Sequence, residues 1–399
     1  MVVRLPTELL DLVSRYADMG TQAQLSLVSH SVYSISIRTL YASIPHMNIS
    51  RTTRCLLTLS TNLELAHMVR SFSLHLSPSN ILRPFHALLT RALGNMTELH
   101  TLSLQLGTYA TSSVMSQMSC RLKKFVCIIA SDPSYPVSQF LSTQPCIEEL
   151  YVVCRPEDIS TLDPEALPAL RDLAAPLQLL PVLIRTRLSR LSRLSVLGTI
   201  GKSGSFIELI MALRSAKPPE SLELVVGVDV NAISMVPKIL TPGLAVLGLY
   251  APFIALLRLE IHEGCIKRDE LHNMFAFILP KFPSLRTLVL MSRPPDLGAY
   301  IRKIPGPRPT RTTSDMLSQT NTLTENISNV LSVPSPRYIL PQSEFGATDS
   351  WSIPISDALH DQQCHIQIVK SWHRIHPNLE RVIFPVGIYT YTDRKRRHG

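Results

Sequence analysis

The chain is short of several features that mark common protein classes, and each shortage excludes something. It has 15 glycines against 30 prolines in 399 residues. Each proline removes a backbone donor and restricts its predecessor, so the balance predicts many short elements between fixed turns and no long uninterrupted helices. The seven cysteines, at 55, 120, 127, 146, 154, 265 and 364, are odd in number and form no C-x-x-C pair. Neither a disulfide framework nor a zinc ribbon is indicated, and a reducing compartment fits, cytoplasmic, nuclear or both. Charged residues make up only 17%, while 45% are apolar, enough to bury a large core and to exclude wholesale disorder. The first residues, MVVRLPTELLDLV, carry Glu8 and Asp11 where a secretory leader needs an apolar run. A cleaved leader is therefore not expected, and the sequons at Asn48, Asn95 and Asn326 read as chance.

Catalytic patterns are missing too. There is no G-x-S-x-G, no H-E-x-x-H and no paired-carboxylate constellation, so catalysis is not expected. GTIGKSG at 198–204 copies the end of a phosphate loop in Gly201-Lys202-Ser203, but the motif's first glycine would fall at 196, where Val196 stands as an inward strand residue. His360, Cys364, His365, His373 and His376 mix metal-ligand types. On a helix, however, His365 and His376 would lie about 16 Å apart, too far for one ion. Val369, Trp372 and Ile375 make that segment a packed amphipathic helix instead, and no metal or cofactor is assigned. The net charge of +9 is dispersed or gathered in the tail, so nucleic acid is not an expected partner. One charge-free stretch, 239–257, has the length of a membrane span. Pro242, Gly243, Gly248 and Pro252 interrupt it, and the alternation Leu247-x-Leu249, then Leu257-x-Leu259-x-Ile261, predicts two buried strands joined by a turn. A membrane is not an expected partner either.

What the chain does have is a repeat. An apolar-x-x-apolar-x-apolar pattern recurs at Val69/Phe72/Leu74, Leu99/Leu102/Leu104, Leu122/Phe125/Cys127, Ile147/Leu150/Val152, Leu191/Leu194/Val196, Leu256/Leu259/Ile261, Leu285/Leu288/Leu290 and Leu379/Val382/Phe384. Leu170/Leu173, Pro219/Leu222/Leu224 and Leu244/Leu247/Leu249 are weaker copies. The spacing up to Leu191 is close to that of leucine-rich repeats, without an asparagine ladder. Each copy predicts a short strand with one face inward, and the residues between copies predict return helices, notably 84–93, 206–213 and the helix opening 272–291. Ordinary leucine abundance in an α/β domain is the competing explanation. The fold class is accordingly α/β: a short N-terminal all-α bundle over 1–46, then an irregular leucine-rich-repeat solenoid over 47–292. A Pro/Ser/Thr-rich insertion, expected to be disordered, covers 293–354, with Ser335 before Pro336 as a candidate phosphorylation site. A terminal helix and strand, 355–392, close the solenoid, and a basic tail occupies 393–399.

Residues 4–44 follow a different logic and read as three short helices. Pro6 suits a first turn, Glu8 is placed favourably at the positive helix end, and Leu9, Leu12, Val13 and Tyr16 recur at helical spacing. Gly20 is expected to break the chain. Leu25, Leu27, Val28, Tyr33, Ile37, Leu40 and Tyr41 add more apolar surface than forty residues can bury, so a partner or the adjoining repeats must cover the rest.

Leu5-Pro6-x-Glu8-Leu9-Leu10, then Leu25-Ser26-Leu27-Val28-Ser29 and an aromatic at Tyr33, resemble the box of F-box proteins, in particular those with divergent leucine-rich repeats found in mushroom-forming fungi. Trp372, Pro377, Leu379, Val382, Phe384 and Pro385 are similar to the ending of those proteins. The resemblance implies a noncatalytic substrate-recognition subunit of a cullin-RING ubiquitin ligase. Leu5, Pro6, Leu9, Leu12, Val13, Leu25, Leu27, Val28 and Tyr33 would meet a Skp-type adaptor, with Glu8 orienting the first helix, and the repeats would bind an unidentified target protein. The rival reading is a repeat scaffold that recruits no ligase, its N-terminal helices a cap over the first open core.

Overall fold

The structure is a computed structural model that describes residues 6–76, 83–106, 112–129, 135–230, 235–292 and 357–391. Leu5, the 293–354 segment with Ser335, and the basic tail lie outside the described residues. The fold is α/β and mostly parallel. The chain divides into two compact units, one of residues 1–193 with 215–217, the other of 194–214 with 218–399.

The first unit opens with three helices, α1 (Thr7–Tyr16), α2 (Met19–Leu25) and α3 (His30–Ala42). The short strand β1 (Ser43–Ile44) and helices α4 (Ile49–Thr61) and α5 (Leu63–His67) follow. Strands β2 (Ser71–His75), β3 (Thr101–Gln105), β4 (Lys124–Ile128), β5 (Glu149–Val153) and β6 (Asp172–Pro176) then alternate with helical returns, among them α6 (Arg83–Asn95), α7 (Val137–Ser142) and α8 (Leu180–Ile184). β1 to β6 pair in parallel in chain order. Their register stacks like on like: Phe72, Leu102, Phe125, Leu150 and Leu173 form one buried ladder, and Leu74, Leu104, Cys127 and Val152 the next. Each ladder is every second residue of its strand, so one face is apolar and packed, as the period-2 pattern requires.

A backbone device fixes the repeat. The amides that start one strand donate to a carbonyl just before the previous strand: His100 and Thr101 to Arg70, Lys123 and Lys124 to His100, Glu148 and Glu149 to Lys123, and Arg171 and Asp172 to Glu148. Polar side chains satisfy backbone groups at the end of α4 and ahead of β4. Asn95 donates to the carbonyls of Leu59 and Ser60, and Gln144 accepts from the Leu122 amide while donating to the Cys120 carbonyl.

The second unit continues the alternation with β7 (Arg193–Ile200), α9 (Ser203–Arg214), β8 (Leu222–Asp229), α10 (Thr241–Tyr250), β9 (Ile254–Glu263), α11 (Arg268–Ile278) and β10 (Thr287–Ser292). The last described elements are α12 (Gln362–Ile375), β11 (Arg381–Phe384) and β12 (Gly387–Thr390). β8 to β11 pair in parallel, and β12 turns back antiparallel on β11. Leu224, Leu257, Leu288 and Val382 align as a buried ladder.

Three expectations need correction. Leu244, Leu247 and Leu249 belong to α10, not to a strand, because the segment is apolar at nearly every position and carries no usable alternation. The β9 repeat is framed on Ile254/Leu257/Leu259, two residues earlier than Leu256/Leu259/Ile261: Leu257, not Leu259, aligns with Leu288, and Leu256 is only half-buried. Gly20 lies inside α2; the break falls at Ala17 and Asp18, where the Asp18 carboxylate accepts from the Thr21 amide at 2.9 Å and starts a new helix.

Candidate functional site

The three N-terminal helices are built around a polar seam. Their buried residues are Ser14 on α1, Gln22 on α2 and Ser36 on α3. The Gln22 side-chain amide donates to the Ser14 carbonyl at 2.9 Å and to the Ala17 carbonyl at 3.1 Å, tying α2 to the end of α1. α3 packs against both other helices, and its start is capped by Ser29 accepting from the Val32 amide. The Ser14 and Ser36 hydroxyls are buried without a hydrogen-bond partner. Small side chains let the helices approach closely but contribute little apolar burial.

The apolar stripe of α1 is consequently turned outward. Leu9, Leu12 and Val13 are 47%, 50% and 56% exposed, and Leu27 and Val28, on the turn between α2 and α3, are 86% and 69% exposed. Tyr33 is exposed as well, Leu25 is half-buried, and Pro6 and Glu8 are exposed at the start of α1. Tyr16 continues the α1 stripe and Met19 at the start of α2 is exposed too, although neither belongs to the set expected to meet a partner. The solvated Asp11–Arg15 pair at 2.7 Å on α1 adds little stability. No family model and no curated protein matches the chain. The chemistry of this surface therefore rests on its own geometry: five large aliphatic side chains in water on a bundle whose interior is polar.

The other candidates resolve differently. β7 ends at Ile200 and α9 begins at Ser203, leaving two residues between them, too few for a phosphate-cradling loop; Val196 is buried. The C-terminal histidines are engaged separately. His365 donates from Nε2 to the Ala358 carbonyl at 2.8 Å, lies flat on Phe384 with ring centroids 3.8 Å apart, and offers Nδ1 to the Tyr389 hydroxyl. His376 donates to the Leu285 carbonyl at 2.8 Å. Cys364 is buried beside the carbonyls of Ala358 and Asp361, and burial raises its thiol pKa. Among the described residues no group of three or more His, Cys, Asp or Glu could hold a metal ion. Burial also raises the thiols of Cys55, Cys120, Cys127 and Cys154, the last to about 12, which keeps them protonated and unreactive.

One grouping escaped sequence reading because Ser292 lies 65 residues or more before its other two members in the chain. Ser292 Oγ lies 2.8 Å from His360 Nε2, and Asp357 Oδ2 lies 3.9 Å from that same nitrogen. A catalytic triad needs the acid on the opposite ring nitrogen, where it orients the base. Here Asp357 instead accepts from the amides of Ile266 and Leu359, so it is a turn-capping residue.

Proposed function

We propose that this chain is a noncatalytic substrate-recognition subunit of a cullin-RING ubiquitin ligase. Its N-terminal helices are an F-box that binds a Skp-type adaptor, and its parallel repeats are a divergent leucine-rich-repeat solenoid that holds a target protein. The reading is carried by one observation: Leu9, Leu12, Val13, Leu27 and Val28 face water on a bundle with a polar interior. Such a surface is costly in isolation and is explained by a partner that covers it. Leu5, Pro6, Leu25 and Tyr33 extend the contact, and Glu8 orients α1. The subunit works by position: a target tethered near a charged ubiquitin carrier gains effective concentration, and the bond-making groups belong to other subunits. Its place of action is the cytoplasm, the nucleus or both.

Co-expression with a Skp-type adaptor, followed by size-exclusion chromatography, tests the reading. A stoichiometric complex is expected, and it is lost when Leu9→Asp and Leu27→Asp are combined. A folded, monodisperse chain that ignores the adaptor would leave the helices as a cap and the protein as a scaffold without ligase recruitment.

A further inference from the structure

A second exposed apolar surface lies in the other unit, on α9, α10 and α11. α10 packs against both α9 and α11, and its approach is close: a Cβ built on Gly243 would lie 2.5 Å from the Phe206 ring of α9, and one on Gly248 2.7 Å from Phe282 just after α11. α9, α10 and α11 lead into β8, β9 and β10, which run parallel, so the three helices end at one side of the sheet. In its last turn each helix exposes a large apolar side chain. These are Met211 on α9, Leu249 with Tyr250 on α10, and Phe277 on α11, of which Met211, Leu249 and Phe277 are 57%, 60% and 56% exposed. The exposed positions of α10 are Pro242, Val246, Leu249 and Tyr250, so its outer face carries no charge. A helix apolar on every side is ordinarily buried.

The charges around this edge are mainly positive. The Arg214 guanidinium lies over the Tyr250 ring at 4.6 Å, Lys281 follows α11, and Arg286 precedes β10 at the same side. The acids at that side are Glu220, ahead of β8 and near Lys217, and Glu380, ahead of β11, whose amide donates to the Arg286 carbonyl; Glu208 lies earlier on α9, and Asp269 and Glu270 stand at the far end of α11, beside Lys267 and Arg268. Met211, Leu249 and Phe277, each more than half exposed, protrude from the surface. Protruding aliphatic and aromatic groups with adjacent cations match the boundary between lipid headgroups and acyl chains, where the cations meet phosphates. We propose that the C-terminal ends of α9, α10 and α11 form a peripheral docking surface for anionic lipid bilayers. No helix among the described residues is long and apolar enough to cross a membrane, and attachment of this kind needs none. The earlier expectation of no membrane partner rested on the missing span alone.

Flotation of the purified full-length chain with vesicles tests this, using phosphatidylcholine alone and phosphatidylcholine mixed with phosphatidylserine. Binding is expected to the mixed vesicles, weakening as salt rises. Leu249→Ser with Phe277→Ser is expected to lower partitioning about tenfold. Arg214→Gln with Lys281→Gln should produce a similar loss on the mixed vesicles, and thermal melts matching the wild type would show that both variants fold. A folded wild-type chain that stays unbound overturns the proposal. So does binding that the Leu249/Phe277 variant retains in full, which would assign it to the basic tail at Arg394 to Arg397. A concentration-dependent dimer in light scattering, abolished by that variant while vesicles are ignored, would make a second copy the occupant and would equally overturn the lipid assignment.

Discussion

Arg187 shows how much of this fold hangs on single polar side chains. It is 1% exposed; its guanidinium donates to the carbonyls of Ala166, Asp163, Val182 and Leu183, and the carboxylates of Asp163 and Glu165 favour its charge. It thereby ties the 163–166 turn to the end of α8, beside Leu167, which is held in the left-handed region at φ 58°. Desolvation lowers the Arg187 pKa from its ordinary value, but the group remains charged. Arg187→Met keeps the length and loses every donor, so it should cost about 3 kcal/mol in chemical denaturation by stranding those carbonyls. A loss below about 0.5 kcal/mol, the scale of an ordinary surface change, would show that water serves them equally well. His365 supports a pH prediction. Desolvation lowers its pKa below the ordinary 6.5, so the unfolded chain takes up this proton first as pH falls. Its contribution is fully present above pH 6.5 and declines below it. His365→Gln should flatten the stability profile between pH 7 and 5, a window that brackets the ordinary histidine value; a profile of unchanged slope would place the titration elsewhere. Arg187 does not stand out in the sequence, and His365 stands out there only as a candidate metal ligand, because a buried arginine or histidine is spelled like an exposed one and its carbonyl partners leave no side-chain signature.

At the scale of the element, strands were more legible than helices. The strand copies from β2 to β8 could be framed because a polar or charged residue marks the outward frame near the start of each, as with Thr101 before Leu102, Lys124 before Phe125 and Glu149 before Leu150. In Ile254-Ala-Leu-Leu-Arg-Leu-Glu-Ile261 two apolar frames compete, and pairing with β8 and β10 selects the earlier. α10 was unreadable as a helix because its outer face is as apolar as its inner one. The glycines of this layer give a pair of predictions with opposite signs. Gly248→Ala would set its Cβ 2.7 Å from Phe282 and 2.9 Å from the Lys281 carbonyl, so overpacking of about 1–3 kcal/mol outweighs the gain in helix propensity. Gly204→Ala in α9 meets nothing within 4 Å and should raise the melting temperature instead. The N-terminal helices supply the same logic in polar form. Ser36→Ala removes a buried hydroxyl without a partner and should stabilise the chain by about 1 kcal/mol. A measured loss of stability would mean that the hydroxyl has an acceptor, and the seam would then be a hydrogen-bonded core.

At the scale of the whole molecule, a stack of parallel strands has an open edge at each end, and an open edge is a site of aggregation unless something covers it. The C-terminal elements perform this for β10. β11 pairs with β10 in register, Thr287 opposite Arg381 and Leu288 opposite Val382, and β12 folds back as the outer strand. α12 covers the face: Trp372 is fully buried against Phe275 of α11, with ring centroids 4.9 Å apart, and against Phe384 of β11. Trp372 and Phe384 were visible in the sequence as members of a terminal motif, but their contact and its role as closure were not, because closure depends on β10, some 80 residues earlier in the chain. Trp372→Ala should therefore cost about 3–5 kcal/mol, the range for a large buried aromatic, while Ile366→Ala on the exposed side of α12 should cost little. Hydrogen exchange separates closure from a merely local loss. If α12 and the hairpin close the sheet, Trp372→Ala strips protection from the amides of β10 as well as from α12. Protection that falls in α12 alone, with β10 intact, would show that the strand pairing holds the edge without the helix, and the closing role would pass to β11 and β12.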